Sequence, residues 1–242
     1  MELNGRETVH HNLWAPPIDF ESLQREVGAS GVDATSLGGY CNFAATSDAA
    51  LEEEVRQFLG YCDVAREMGI PVVRAFPGDV VEGHTLDELY PSIVAGFGAV
   101  VDAIADWGVR IGIENHGRLL NDGDRLYDLV REVDSPLLGI TLDTGNFCWA
   151  GHPIDRAHRF LERLAPMAVS VHVKDGRFID GEWTLFPAGR GDIDLPGVFA
   201  ALQAVGYDGP VLSEYEGTAD FLASTTESVA YLRGLRDGRG LR

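Results

Sequence analysis

The feature that most constrains this chain is a repeated alternation of short apolar segments with longer segments of helical periodicity. Val72–Phe76, Val109–Asn115, Leu138–Leu142, Ala168–Val173 and Val211–Ser213 read as strands with almost no polar interruption. Between and after them, Leu86–Trp107, Arg125–Val133, Asp155–Leu164, Leu195–Val205 and Phe221–Leu235 carry apolar residues at helical intervals. Strands apolar on both faces must be covered on both faces, which predicts a parallel sheet sheathed by helices. A doubly wound sheet normally shows a Gly-rich phosphate turn after its first strand, and no GxGxxG is present. Polar residues gather instead at the C-terminal ends of several strands, where barrel enzymes place their chemistry. The reading is therefore α/β, a TIM (β/α)8-type barrel forming one domain over residues 1–242.

The rhythm is softer near the start. Met1–Leu3 reads as extended, Phe20–Ala29 as a helix behind Asp19, Val32–Leu37 as a strand, and Gly38–Gly39 as a turn. Ser47 or Asp48 opens a long amphipathic helix that ends at Gly69. Only seven strands emerge, so the barrel is expected to lack its first strand-helix unit. Either that unit lies upstream of Met1, or a partner or the N-terminal loop fills the gap. Open parallel edges are a liability, which favours the first alternative.

Composition narrows the partners. A formal net charge of −19 leaves no basic surface for nucleic acid, and no apolar run of about 18 residues is present to span a membrane. The start, MELNGRETVHH, has no basic region followed by an apolar stretch, and so does not read as a secretory signal. Cys41, Cys62 and Cys148 are odd in number and form no CxxC, which suits a reducing compartment. The expectation is a cytoplasmic protein acting on a small molecule.

Four strand ends carry the chemistry. Glu114, Asp143, His172 and Glu214 fall at or near the ends of separate strands, roughly 30–40 residues apart as one strand-helix repeat requires. A barrel brings such ends together around its axis. Three carboxylates and one imidazole form a hard, oxygen-rich donor set suited to one divalent ion, Mn²⁺ first, with Mg²⁺ or Co²⁺ as alternatives. Without a cation, carboxylates so close would repel and push one another's pKa values up. Glu216 shares strand parity with Glu214 but lies farther from the apolar run, so Glu214 is preferred as ligand and Glu216 as a contact to substrate or loop backbone. His116 shares a strand face with Glu114. Lys174 shares the face of His172 and either holds a substrate oxygen or pairs with a neighbouring carboxylate. Arg190, in AGRGDID, sits in a loop that can reach the pocket. Trp14, Phe43, Trp149 and His152 are candidates for an apolar wall.

The segments IENHG, TLDTGN, VHVKD and GYDGPVLSEYEG resemble the strand-end motifs of the xylose isomerase-like barrel superfamily, over about Gly31 to Leu235. That superfamily includes sugar and sugar-phosphate isomerases and epimerases, inosose dehydratases and endonuclease IV. The resemblance implies a divalent metal on Glu114, Asp143, His172 and Glu214, with Glu114 and Glu214 doubling as the acid/base pair. It implies a sugar or polyol substrate with a contact at Asn146, and a homo-oligomer, since members commonly form dimers or tetramers. The residues themselves add His116 as a substrate or supporting contact, with Lys174, Arg190 and Glu216 as further substrate-binding candidates. Members often carry His where this chain has Asn146. The expected reaction is proton transfer next to a carbonyl through an enediolate, in an isomerase or epimerase. Dehydration of a keto-polyol on the same site is the alternative, and a non-catalytic sugar-binding subunit ranks below it. The acidic surface and the scattered histidines disfavour a three-zinc nuclease.

Overall fold

The computed structural model describes residues 1–4 and 20–238. Its main sheet is built from β1 (Glu2–Asn4), β2 (Ser36–Gly38), β3 (Val72–Ala75), β4 (Arg110–Glu114), β5 (Leu138–Asp143), β6 (Ala168–Val173) and β9 (Val211–Ser213). These seven strands run parallel in the order β1-β2-β3-β4-β5-β6-β9. The sheet curls into a nearly closed barrel, so that Glu2 on β1 touches His172 on β6. Among the described residues β1 and β9 each have a single sheet neighbour. Helices α1 (Phe20–Ala29), α2 (Asp48–Met68), α3 (Leu86–Ala103), α4 (Gly123–Val133), α6 (Ile154–Leu164), α7 (Leu195–Ala204) and α8 (Phe221–Arg236) accompany the strands, with a short α5 (Asn146–Trp149) after β5.

Local chemistry sets the helix ends. Ser47 Oγ accepts the Ala50 N–H at 3.3 Å and opens α2, and Gly69, at φ 68°, closes it in the left-handed region. Thr85 and Glu88 form a reciprocal capping box at the start of α3. Asp122 caps α4 by accepting from the Asp124 and Arg125 N–H groups. The core lies between strands and helices, where Phe43 packs edge-on against Phe58 and Phe97 with ring centroids 5.8 and 4.9 Å away. Gly96 makes room for it: a Cβ there would lie 2.6 Å from the Phe43 ring. Phe43 is thus a core residue and not part of a pocket wall.

Three segments depart from the sequence reading. The second strand is Ser36–Gly38 rather than Val32–Leu37, because Val32 is exposed and Gly38 pairs in the ladder instead of turning. The segment after β6 holds two strands to which the sequence reading assigns no element. Asp175–Ile179 (β7) and Glu182–Phe186 (β8) pair as an antiparallel hairpin. Its turn residues Asp180 and Gly181 both have positive φ, 52° and 87°, and Asp-Gly is the strongest short hairpin signal a sequence offers. The third helix ends at Ala103, earlier than the expected Trp107. Asp19, His10, His11 and Trp14 lie outside the described residues.

Candidate metal centre

The site is assembled at the C-terminal ends of β4, β5, β6 and β9. Glu114 is the last residue of β4 and Asp143 the last of β5. In the β5–β6 register Asp143 stands opposite His172. Glu214 follows β9, with its N–H donated to the Val173 carbonyl at 3.0 Å. Asn115 ties two of these ends together, accepting the Asp143 N–H at 2.8 Å and donating to the Asp143 carbonyl at 2.9 Å. Thr144 does the same between β5 and β6, where its hydroxyl donates to the Lys174 carbonyl and accepts the Lys174 N–H.

One donor atom from each of Glu114, Asp143, His172 and Glu214 lies within 4.8 Å of all the others, so these four can hold a single cation. Asp143 turns Oδ1 toward its own chain, where it accepts the Gly145 and Asn146 N–H groups, both at 2.8 Å. That leaves Oδ2 buried without a hydrogen bond. His172 Nδ1 and Glu214 Oε2 are likewise buried without one. Nδ1 faces Glu214 Oε2 at 3.0 Å and Glu114 Oε1 at 3.3 Å. Three carboxylates and an imidazole whose donor atoms converge on one point, most of them drawn to one another for want of other partners, form a set that fits a divalent ion.

The electrostatics agree. Burial pushes Asp143 up to about 7, with Glu114 and Glu214 adding to the rise and Lys174 opposing it. Burial works against charge on His172, yet its contacts with Glu114, Glu2 and Glu214 hold its pKa well above the usual range. Glu114 is likewise buried, but Arg74 and His172 outweigh this and hold its carboxyl far below the ordinary carboxylate value. Without a cation, protons and neighbouring side-chain cations do the neutralising.

The remaining expected residues fall into two groups. Lys174 is buried, its Nζ 2.9 Å from Glu216, 3.4 Å from Glu214 and 3.5 Å from Asp143. Asn146 donates to Glu114 Oε1 at 3.4 Å and accepts from Lys174 at the same distance. His116 lies between the Phe76 and Trp149 rings, at 4.5 and 5.9 Å, beside the β4 end. Arg190 is not brought to the cluster: it is exposed and ion-paired with Glu227 on α8. His152 is engaged elsewhere, its Nε2 2.8 Å from the Asn121 carbonyl oxygen. Two residues escaped the sequence reading. Glu2 and Arg74 are paired at 2.9 Å, and they reach His172 at 3.2 Å and Glu114 at 3.3 Å respectively. The one signal for Arg74 was a charge inside the otherwise apolar strand VVRA.

Fold and site together define a parallel α/β barrel with a carboxylate-histidine cluster at the C-terminal mouth that could hold a cation. The model of the xylose isomerase-like TIM barrel family matches residues 3–235, and the chain belongs to that family. An uncharacterized protein of Methanocaldococcus jannaschii is 28% identical over 204 residues, 78% of this chain and 68% of that one. The ketose 3-epimerase of Arthrobacter globiformis is 31% identical over 124 residues, 50% of this chain and 39% of the relative. The inosose isomerase of Halalkalibacterium halodurans is 24% identical over 86% of this chain and 76% of its own. Among solved structures, a D-tagatose 3-epimerase-like protein superimposes with a TM-score of 0.80 at 23% identity, covering 98% of this chain and 88% of that one. The IOLI protein, solved with a bound zinc atom, gives 0.78 at 18% identity with the same coverage. At these identities the two structures speak for the fold.

Proposed function

We propose that this protein is a divalent-metal-dependent isomerase or epimerase of a small sugar or polyol, working by proton transfer next to a carbonyl. The observation that carries the reading is the convergence of one donor atom from each of Glu114, Asp143, His172 and Glu214 within 4.8 Å of one another. The names of the relatives, a ketose 3-epimerase and an inosose isomerase, support the substrate class. The hard donor set favours Mn²⁺, with Mg²⁺ or Co²⁺ able to replace it. Bound there, such an ion supplies Lewis acidity toward the carbonyl oxygen.

The chain's own groups do the rest. Glu114 and Glu214 take and return the carbon-bound proton, a reading supported by their position on either side of His172. Glu214 is the more accessible of the two, about one-third exposed, and so faces substrate more openly. Lys174 has a cationic head among Glu214, Glu216 and Asn146, where it can donate to a substrate oxygen. Trp149, stacked on His116 and exposed, offers an aromatic surface against which a sugar ring can lie.

The test begins with metal content by plasma mass spectrometry on protein purified without a metal-affinity tag, followed by solvent hydrogen exchange at C3 of ketoses. About one ion per chain, lost in Asp143→Asn and Glu214→Gln, with exchange into a ketose, is the expected result. Loss of water from a keto-polyol in place of exchange would move the reaction to dehydration on the same residues. No ion after soaking in Mn²⁺, Mg²⁺ and Co²⁺ would sink the reading.

A further inference from the structure

A guanidinium and a carboxylate buried together carry a desolvation cost that well-packed apolar side chains would avoid, so such a pair needs a reason beyond stability. Strands β1, β2 and β3 supply none of the four candidate ligands, yet they build one of these pairs against the cluster. Glu2 Oε1 accepts from Arg74 Nε at 2.9 Å. Its Oε2 accepts the Ser36 hydroxyl at 2.6 Å and lies 3.2 Å from His172 Nε2. Arg74 reaches on with Nη1 to Glu114 Oε2 at 3.3 Å, its guanidinium set over the Phe76 and Tyr40 rings at 4.5 and 5.5 Å. The space is reserved by a missing side chain: a Cβ on Gly38 would lie 2.7 Å from Arg74 Nη2 and 3.2 Å from Glu2 Oε1.

The geometry points to Glu2 and Arg74 as positioning residues of the metal centre, an inference that rests on Glu114, Asp143, His172 and Glu214 holding a divalent ion. A ligating imidazole must offer a bare lone pair, and the nitrogen that keeps its hydrogen is set by the acceptor beside it. Glu2 is that acceptor at Nε2, so His172 keeps its hydrogen there and presents Nδ1 to the cavity. Arg74 occupies Oε2 of Glu114 and leaves Oε1 facing the same cavity. A single carboxylate, by holding Arg74 and His172 at once, thereby orients two ligands on two different strands.

The variant Glu2→Gln keeps the side-chain volume but has one carbonyl oxygen, too few acceptors for both His172 and Arg74. The readouts are the Mn²⁺ dissociation constant by calorimetry and the ¹⁵N spectrum of histidine-labelled protein loaded with diamagnetic Mg²⁺ or Zn²⁺. We expect one ion per chain in both proteins, affinity weakened about 10–100-fold in the variant, and a His172 ring that loses its single Nε2–H pattern. Ser36→Ala leaves every charge in place and is expected to weaken binding less, by about 10-fold or under, with the Nε2–H signal displaced. A wild-type protein that binds one ion, with both variants binding equally well and showing unchanged ring signals, would overturn the positioning role alone. A wild-type protein that binds no ion would remove the metal reading beneath it. Should Glu2→Gln not fold, Ser36→Ala decides by the same two readouts.

Discussion

The two sides of this barrel carry different kinds of chemistry. Strands β4, β5, β6 and β9 carry at or beside their C-terminal ends the atoms that can touch a cation. Strands β1, β2 and β3 send Glu2, Ser36 and Arg74 from within the ladder, to meet the backs of those ligands. The first side resembles a reagent and the second a mould. Glu114, Asp143 and His172 also pair in the ladder, but their side chains converge on one another at the mouth, whereas Glu2 and Arg74 are bound to each other and to the far side of that cluster. Changes on the ligand side should therefore abolish ion binding, and changes on the mould side should weaken it while also altering the stability of the metal-free chain.

The largest contrast is expected at the ligands. Glu214→Gln should lower proton exchange by about 10²–10⁴-fold, and Asp143→Asn should leave no ion after dialysis, both with circular dichroism unchanged. Removal of the ion from the intact protein comes next. Adding Mn²⁺ at about 100 times its dissociation constant should restore about 2.7 kcal/mol, seen as a rise in melting temperature of about 5–10 °C that the ligand variants do not share.

A third measurement addresses the mould side through pH. Burial works to raise the Glu2 carboxyl, but His172 and Arg74 outweigh it and hold it at about 2. A carboxyl depressed in the folded state contributes stability in full above the ordinary carboxylate range and loses it as pH falls toward 2. In metal-free protein, denaturant unfolding should show wild type exceeding Glu2→Gln by roughly 2–3 kcal/mol at pH 6, with the gap narrowing at pH 3. A constant gap would mean that Glu2 acts by shape alone. The smallest effect is expected at Arg190→Ala, an exposed pair with Glu227 that should cost at most about 1 kcal/mol. A large loss of activity there would restore Arg190 to the pocket.

The same contrast explains what could be read from the chain. Glu114, Asp143, His172 and Glu214 stood out because each interrupts or ends an apolar run at the repeat spacing of a barrel, and the ends of such runs converge by topology alone. Lys174 was read as a substrate contact or an ion-pair partner, and it sits among three carboxylates. Glu2 and Arg74 lie 72 residues apart and meet across β2 beside Gly38, and Glu2 reaches His172 only through the closure of the sheet, which no local pattern encodes. The hairpin was legible in principle at Asp180-Gly181, but its flanks DGRFI and EWTLF lack the clean alternation that marks a half-buried strand. Arg190 misled because a Gly-rich loop next to strand ends gives no indication of which way its side chain turns.

One carboxylate outside the cluster sets how this mouth can be remodelled. Asp175, directly after Lys174, accepts N–H groups from Gly176 and Ile193 on one oxygen, and from Gly189 and Gly191 on the other. Both ends of the excursion through β7 and β8 are thus fastened to one point at the end of β6. Between the fastenings Phe178 and Trp183 still pack on the core, but the exposed turn at Asp180-Gly181 can lengthen or change while His172 and Lys174 stay where they are. Diversification of what the barrel accepts can proceed there, uncoupled from the ion the barrel would hold.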